Sequence, residues 1–169
     1  MRAGLRRRKV LTSMLRPKPE LDVEFQNEEA FPGELPPNAS MHKWMLAACE
    51  RKTAVVVRFV DAEEGKLLNS TYRNKDYATN VLTFDYARAP VVTADLVICV
   101  PVLVREAAEQ NKTFEEHLAH LLIHGILHAH GYDHLEEAQA EAMEARETEI
   151  MMQLGFANPY SDRNGMVHD

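Results

Sequence analysis

The stretch His124-Gly-Ile-Leu-His-Ala-His-Gly-Tyr-Asp-His134 constrains this chain more than any other. His124 and His128 are four residues apart, so on a helix they share one face, one turn above the other. Gly131 follows three residues later and suits the left-handed residue that ends a helix. Beyond that turn His134 can swing back beside the other two. Three imidazoles converging, with room for a fourth ligand from outside the protein, is the arrangement of a catalytic zinc site.

The flanking sequence says how such a helix is held. Thr113-Phe-Glu-Glu116 is a capping box, and it starts the helix that carries the histidines. A last helix runs from about Glu136 to Leu154, with Met143, Ile150, Met151 and Leu154 inward and its many glutamates on a solvated face. Gly155 ends it, and Asn158-Pro159 begins a loose tail. Upstream, Leu21 to Phe25 alternates apolar and polar residues, as a strand does. Phe31–Asn38, with three prolines, is a loop. Asn38 or Ser40 can cap a helix running to about Lys52, with Met41, Trp44, Met45 and Ala48 on its inner face. Ala54 to Val60 reads as a strand covered on both faces. Asp61 can cap the next helix, through Leu67 and Leu68 to Tyr72 and Arg73. Asn80–Phe84 and Ala94–Val100 are further strands, with a turn at Ala87–Pro90 between them. Pro101 fits the start of a helix over Val102–Glu109. Strands and helices interleave irregularly, which predicts an α+β domain with a small mixed sheet and the histidine helix at its centre.

The length of 169 residues allows one domain with a real core, placed here at residues 21–160. Residues 161–169 are a loose tail. Residues 1–20 hold seven Lys or Arg and one acid, a head of net charge +6; the overall charge of −7 therefore leaves −13 on the rest. The head reads as a flexible basic arm closed by Pro17 and Pro19. It is Arg-rich and acid-poor, as organellar transit peptides are, and it lacks the apolar core of a secretory signal. No apolar run approaches the roughly 20 residues that span a bilayer, which leaves no membrane role. Cys49 and Cys99 are too few for a disulfide framework, and Cys99 reads as a buried thiol. A reducing, cytoplasmic setting fits better than organellar import.

Six of the eight histidines fall between His117 and His134. His117, His120, His124 and His128 form one stripe on the helix. His120, His124 and His128 are also each four apart. Three side chains spread over two turns of one straight helix converge poorly on a tetrahedral ion, whereas a pair plus a residue from beyond a turn converges well. The expected ligands are therefore His124, His128 and His134, with His117 and His120 as core groups or supports and His130 pointing elsewhere. Asp133 can bond a ligand histidine or cap the turn. Three neutral imidazoles suit zinc, one ion, although nickel or copper also binds such donors.

The spacing equals that of the metzincin proteases, His-Glu-x-x-His-x-x-Gly-x-x-His. Here Gly125 replaces the glutamate that serves those enzymes as general base. Peptide cleavage then lacks its proton shuttle, and a glycine leaves space at the metal. Hydrolysis of something else is the better expectation, with charge handled by another residue. Arg73, flanked by Lys66 and Lys75, is permanently charged and forked, and so suits a phosphate.

At this point the sequence resembles the YbeY family of bacterial and organellar endoribonucleases, also called rRNA maturation factors. Their motif, His-Gly-x-Leu-His-x-x-Gly-Tyr-Asp-His, is matched by His124–His134 at every fixed position. Leu68-Asn69, Tyr72-Arg73 and Thr79–Phe84 match a second block, and Ala94-Asp95-Leu96-Val97-Ile98 a third. The likeness covers about residues 54–155. It implies a mixed four-stranded sheet with helices packed around it. It implies zinc on His124, His128 and His134, and a functional role for Arg73. It also implies cleavage of single-stranded RNA, processing of ribosomal RNA at the small-subunit 3′ end, and ribosome quality control, with the small ribosomal subunit and an Era-type GTPase as partners. Ala94 replaces a glycine at what reads as a local turn, and Asp85 stands where proline is common.

In the mechanism expected from this, Arg73 stabilises charge developing on the phosphorus centre beside the zinc. Tyr72, Tyr77 or Tyr132 can stack on unpaired bases. Two other readings stay open: a metalloprotease, and a non-catalytic ribosome-assembly factor with a structural zinc.

Overall fold

A computed structural model of the protein describes residues 19–75 and 77–161. The basic arm and the end of the tail expected from the sequence lie outside them, apart from residues 19, 20 and 161. Strands β1 (Leu21–Gln26), β2 (Thr53–Val60), β3 (Val81–Ala87) and β4 (Val92–Cys99) form one mixed sheet in the order β1-β2-β4-β3. β1 and β4 each pair parallel with β2, and β3 pairs antiparallel with β4. The helices are α1 (Asn38–Ala48), α2 (Ala62–Arg73), α3 (Val100–Glu109), α4 (Phe114–Ala129) and α5 (Glu137–Gln153). The architecture is thus α+β, a four-stranded mixed sheet with five helices among the described residues.

Strand alternation sorts the sheet into two unlike faces. Val55, Val57 and Phe59 of β2, with Ala94, Leu96 and Ile98 of β4, are buried under the main helical layer. On the other face Ala54, Val56 and Arg58 are only half-buried. The expectation of a strand covered on both faces holds only at its end, where Val60 is buried in a second cluster with Leu82, Val97, Cys99 and Val102, and is corrected for the rest of the strand. The Val-Val-Val run reflects β-propensity, since β-branched residues fit a pleated surface even where it is half open. Ala94, expected to open a strand, lies within β4 and is buried against the helices, so its replacement of a glycine falls in the sheet rather than at a turn.

α4 is the centre of the molecule. From His117 to Leu127 every residue is buried, including Leu118, Leu121, Leu122, Ile123 and Ile126. Its start follows from the capping box: Thr113 Oγ1 accepts from Glu116 N at 3.0 Å, and the Glu116 carboxylate accepts from Thr113 N at 3.5 Å. Such a cap contributes about 1 kcal/mol. Its end is a Schellman turn. Gly131 N donates to His128 O, Tyr132 N donates to Leu127 O, and Gly131 sits at φ +109°.

Several boundaries differ from the sequence reading: β3 runs on through Ala87, where a turn is expected, and β4 starts at Val92 rather than Ala94. α1 ends at Ala48 rather than Lys52, because the chain must turn to enter β2 at Thr53. Its N-cap is Pro37, with no side-chain cap; the Asn38 amide is drawn away to Glu28 Oε1 at 3.2 Å. The segment after Gly155 is also not loose as far as Ser161. Pro159 is buried and its carbonyl accepts from Lys112 Nζ at 3.1 Å, while Asn158 Oδ1 caps Tyr160 N at 2.8 Å.

Candidate metal centre

The Schellman turn reverses the chain at the end of α4 and returns His134 to the helix face that carries His124 and His128. The three imidazole centroids stand 6.5 Å (His124–His128), 5.6 Å (His124–His134) and 6.4 Å (His128–His134) apart. Ligand atoms of His128, Asp133 and His134 all lie within 4.8 Å of one another. These donors fit a cation. Nε2 of His124 and Nδ1 of His134 are buried and accept no hydrogen bond within the protein, and an orphaned buried ring nitrogen is costly unless something binds it. Asp133 plays a turn role as well: its Oδ1 accepts from His134 N at 2.7 Å and orients the loop.

Behind the rings lies a buried polar layer. Glu147 of α5 is 1% exposed. Its Oε1 accepts from His120 Nε2 at 2.7 Å and from His124 Nδ1 at 3.3 Å, and the Tyr160 hydroxyl donates to the same carboxylate at 3.0 Å. Burial works to raise the Glu147 carboxyl, but the hydrogen bonds from His120 and then His124 outweigh it and hold it at about 2. Burial pushes the His120 imidazole below its ordinary value, against the pull of Glu147. Both directions describe one state, a charged carboxylate facing a neutral His120 ring. Burial also pushes the Tyr160 phenol well up, and the Glu147 charge adds to it. One turn earlier, His117 Nε2 meets Glu106 Oε1 at 2.9 Å, and the Asn80 amide donates to the same oxygen at 3.1 Å. His130 turns away, with Nδ1 on Ile126 O at 2.9 Å and Nε2 accepting from Glu50 N at 3.2 Å.

The sequence reading missed Glu147, Glu106 and Tyr160. Composition alone places Glu147 among the solvated glutamates of the last helix. A signal was available, because residue 147 falls in phase with Met143, Ile150, Met151 and Leu154 on the inward stripe. Glu106 carries the same signal, in phase with the buried Val102, Leu103 and Ala107 of its helix, whereas Tyr160 lies beyond the last helix and carries none.

Gly125 does not face the metal side. A Cβ there would meet Leu96 Cδ2 at 2.9 Å and Cδ1 at 3.0 Å. The expectation that this glycine leaves space at the metal is therefore corrected: it lets α4 approach β4 closely. Room beside the histidines comes from a cavity of about 180 Å³ lined by His124, His134, Ala140, Met143, Glu144, Glu147 and Tyr160.

Arg73 is the exposed last residue of α2. Its Nη2 donates to Thr83 O at 2.6 Å, and its guanidinium stands 5.7 Å from the Phe84 ring centroid. It does not line the cavity beside His124 and His134; it lies against β3, a strand that α4 also packs on. Tyr72 and Tyr77 are exposed, whereas the Tyr132 hydroxyl is held by Glu50 at 2.8 Å.

A family model described as endoribonuclease YbeY matches residues 37–155. A curated relative from Albidiferax ferrireducens, named endoribonuclease YbeY, is 55% identical over 137 residues, covering 81% of this chain and 92% of the relative. One of the same name from Paracidovorax citrulli is 58% identical over 141 residues, covering 83% and 92%. A third, from Methylibium petroleiphilum, is 50% identical and covers 88% of this chain and all of the relative. Among solved structures, the solution structure of TM1509 from Thermotoga maritima shares the fold, with a TM-score of 0.51 at 24% identity over 79% of this chain and 91% of that one.

Proposed function

Because this chain belongs to the YbeY endoribonuclease family, we propose that it is a zinc-dependent endoribonuclease that cuts single-stranded RNA. Its task in this reading is ribosomal RNA processing at the small-subunit 3′ end and ribosome quality control in the cytoplasm. The small ribosomal subunit and an Era-type GTPase are its partners. No helix among the described residues is long and apolar enough to cross a membrane.

The observation that carries the reading is the convergence of His124, His128 and His134, with buried ring nitrogens on His124 and His134 that no protein group satisfies. These three hold the ion. Asp133 is close enough to compete, but its Oδ1 is engaged by the His134 N–H, so it is assigned to the loop. A bound zinc supplies Lewis acidity and acidifies water at neutral pH. Arg73 supplies a fixed positive charge toward the phosphate, and its bond to Thr83 O keeps the guanidinium in place. The body outside the arm is acidic, so attraction to RNA depends on local groups such as Arg73 rather than on the overall field. The protease reading loses ground because a glutamate at residue 125 would point into Leu96 rather than toward the ion.

The test is cleavage of labelled single-stranded RNA by zinc-loaded protein beside His128→Ala from the same preparation. Cutting by the intact protein alone, abolished by a chelator and restored by zinc, is the expected result. Equal cutting by both proteins would assign the activity to a contaminant. Ribosome binding without cutting by either would favour the assembly-factor reading.

A further inference from the structure

Glu147 is withdrawn from water in a helix whose other acids are mostly exposed. A charged carboxylate only accepts hydrogen bonds. Three donors converge on this one: His120 Nε2 at 2.7 Å, His124 Nδ1 at 3.3 Å and the Tyr160 hydroxyl at 3.0 Å from each oxygen. The bond from His124 places that ring's proton on Nδ1. The lone pair is then on Nε2, the atom that is buried and finds no partner in the protein. His124, Glu147 and Tyr160 all line the cavity that also reaches His134.

We infer that Glu147 is a positioning residue of the metal centre: its grip on His124 Nδ1–H selects the tautomer and ring angle that present Nε2 to the cation. His120 and Tyr160 complete the device by holding the carboxylate itself, one from a turn earlier on α4 and one from the segment after α5. Three parts of the chain thus meet on one side chain, which has no freedom to release His124. The inference rests on the reading that His124, His128 and His134 hold the ion. It adds how one of those rings is made ready before any ion arrives. A carboxylate behind a ligand histidine fixes its orientation and raises its basicity, and removing such a partner typically weakens metal binding by about 10- to 100-fold.

A buried carboxylate that only staples α5 to α4 would have the same hydrogen bonds, so the test must separate the two roles. Zinc affinity is measured by competition with a chromophoric chelator, at a temperature where every variant is folded. The ring-nitrogen spectrum of the metal-free protein reports the His124 tautomer. In the wild type His124 carries its proton on Nδ1. In Glu147→Gln the ring becomes a mixture of tautomers, and zinc binds about 10- to 100-fold more weakly. Tyr160→Phe keeps the charge and gives a smaller loss of the same sign. Zinc affinity and His124 signals unchanged in Glu147→Gln overturn the inference, whatever happens to the melting temperature. Should that variant fail to fold, the wild-type spectrum decides alone, because a proton on Nε2 of His124 overturns it. Failure of the underlying reading looks different: wild type and His128→Ala would then bind zinc equally, and the inference would fall with it.

Discussion

Gly125 of α4 faces Leu96 of β4 so closely that a methyl group on the glycine would lie 2.9 Å from Leu96 Cδ2. The helix that carries the histidines is therefore seated directly on the central part of the sheet, and the contact sets how deep the three histidines lie.

Substitution at Gly125 is expected to act through packing. Gly125→Ala gains about 1 kcal/mol of helix propensity but forces methyl groups into a filled core, at a typical cost of 1–3 kcal/mol. The net expectation is a lower melting temperature, relieved in part when Leu96→Val is added, so that the double variant is more stable than additivity predicts. Gly125→Glu places a carboxylate against the buried Leu96 side chain and leaves no cooperatively folded protein and no peptidase activity. Thermal unfolding of the wild type, the Gly125→Ala and Leu96→Val single variants, the double variant and Gly125→Glu checks this; a folded Gly125→Glu protein that cleaves peptides would return the protease reading.

Arg73 tests the assigned charge. Its side chain is exposed and its bond is to the backbone carbonyl of Thr83, a buried residue of β3. Arg73→Ala is expected to lower kcat on single-stranded RNA by about 100-fold or more, the scale of a lost transition-state donor. Its melting temperature should move by only a few degrees, on the order expected for a surface change. Arg73→Lys should recover part of the rate, since the charge is kept and the fork is lost. A fall in stability with kcat intact would make Arg73 a strut for β3.

The two thiols are expected to be inert in the native state. Cys49 is 6% exposed and Cys99 1%. Burial pushes the Cys49 thiol up from 9.0 to about 11, only partly offset by Thr53, and burial raises Cys99 as well. The folded state thus disfavours the thiolate. The resulting stability is present below the ordinary thiol value and is lost as pH rises from 9.0 through about 11 at Cys49. A disulfide reagent at pH 8 should label neither cysteine until denaturant is added, when both react. Rapid labelling of the native protein would contradict the burial described.

Sequence made some elements legible because their causes are local. The capping box at Thr113, the glycine turn at Gly131 and the Asp61 cap each involve residues within a few positions, and each is found where the spacing puts it. The four strands and five α-helices of the described residues likewise follow from periodicity and turn chemistry. α1 shows the limit. Its inward face was legible, but its end depends on where β2 must begin, which is a property of the sheet.

The histidine block by itself determined that three imidazoles would meet, because a helical pair, a left-handed glycine and a short return leave the chain little choice. It could not determine what stands behind them. Glu147, Tyr160 and Glu106 reach the stripe on α4 from 11 to 40 residues away; the phase of the two glutamates on their helices shows that they face inward, but no local pattern encodes which helix they meet. Nor could it tell which side of α4 Gly125 serves, since a missing side chain leaves room equally for an ion or for a strand. Only packing of the helix against β4 decides between them, because close-packed interiors fix the neighbour of every buried face.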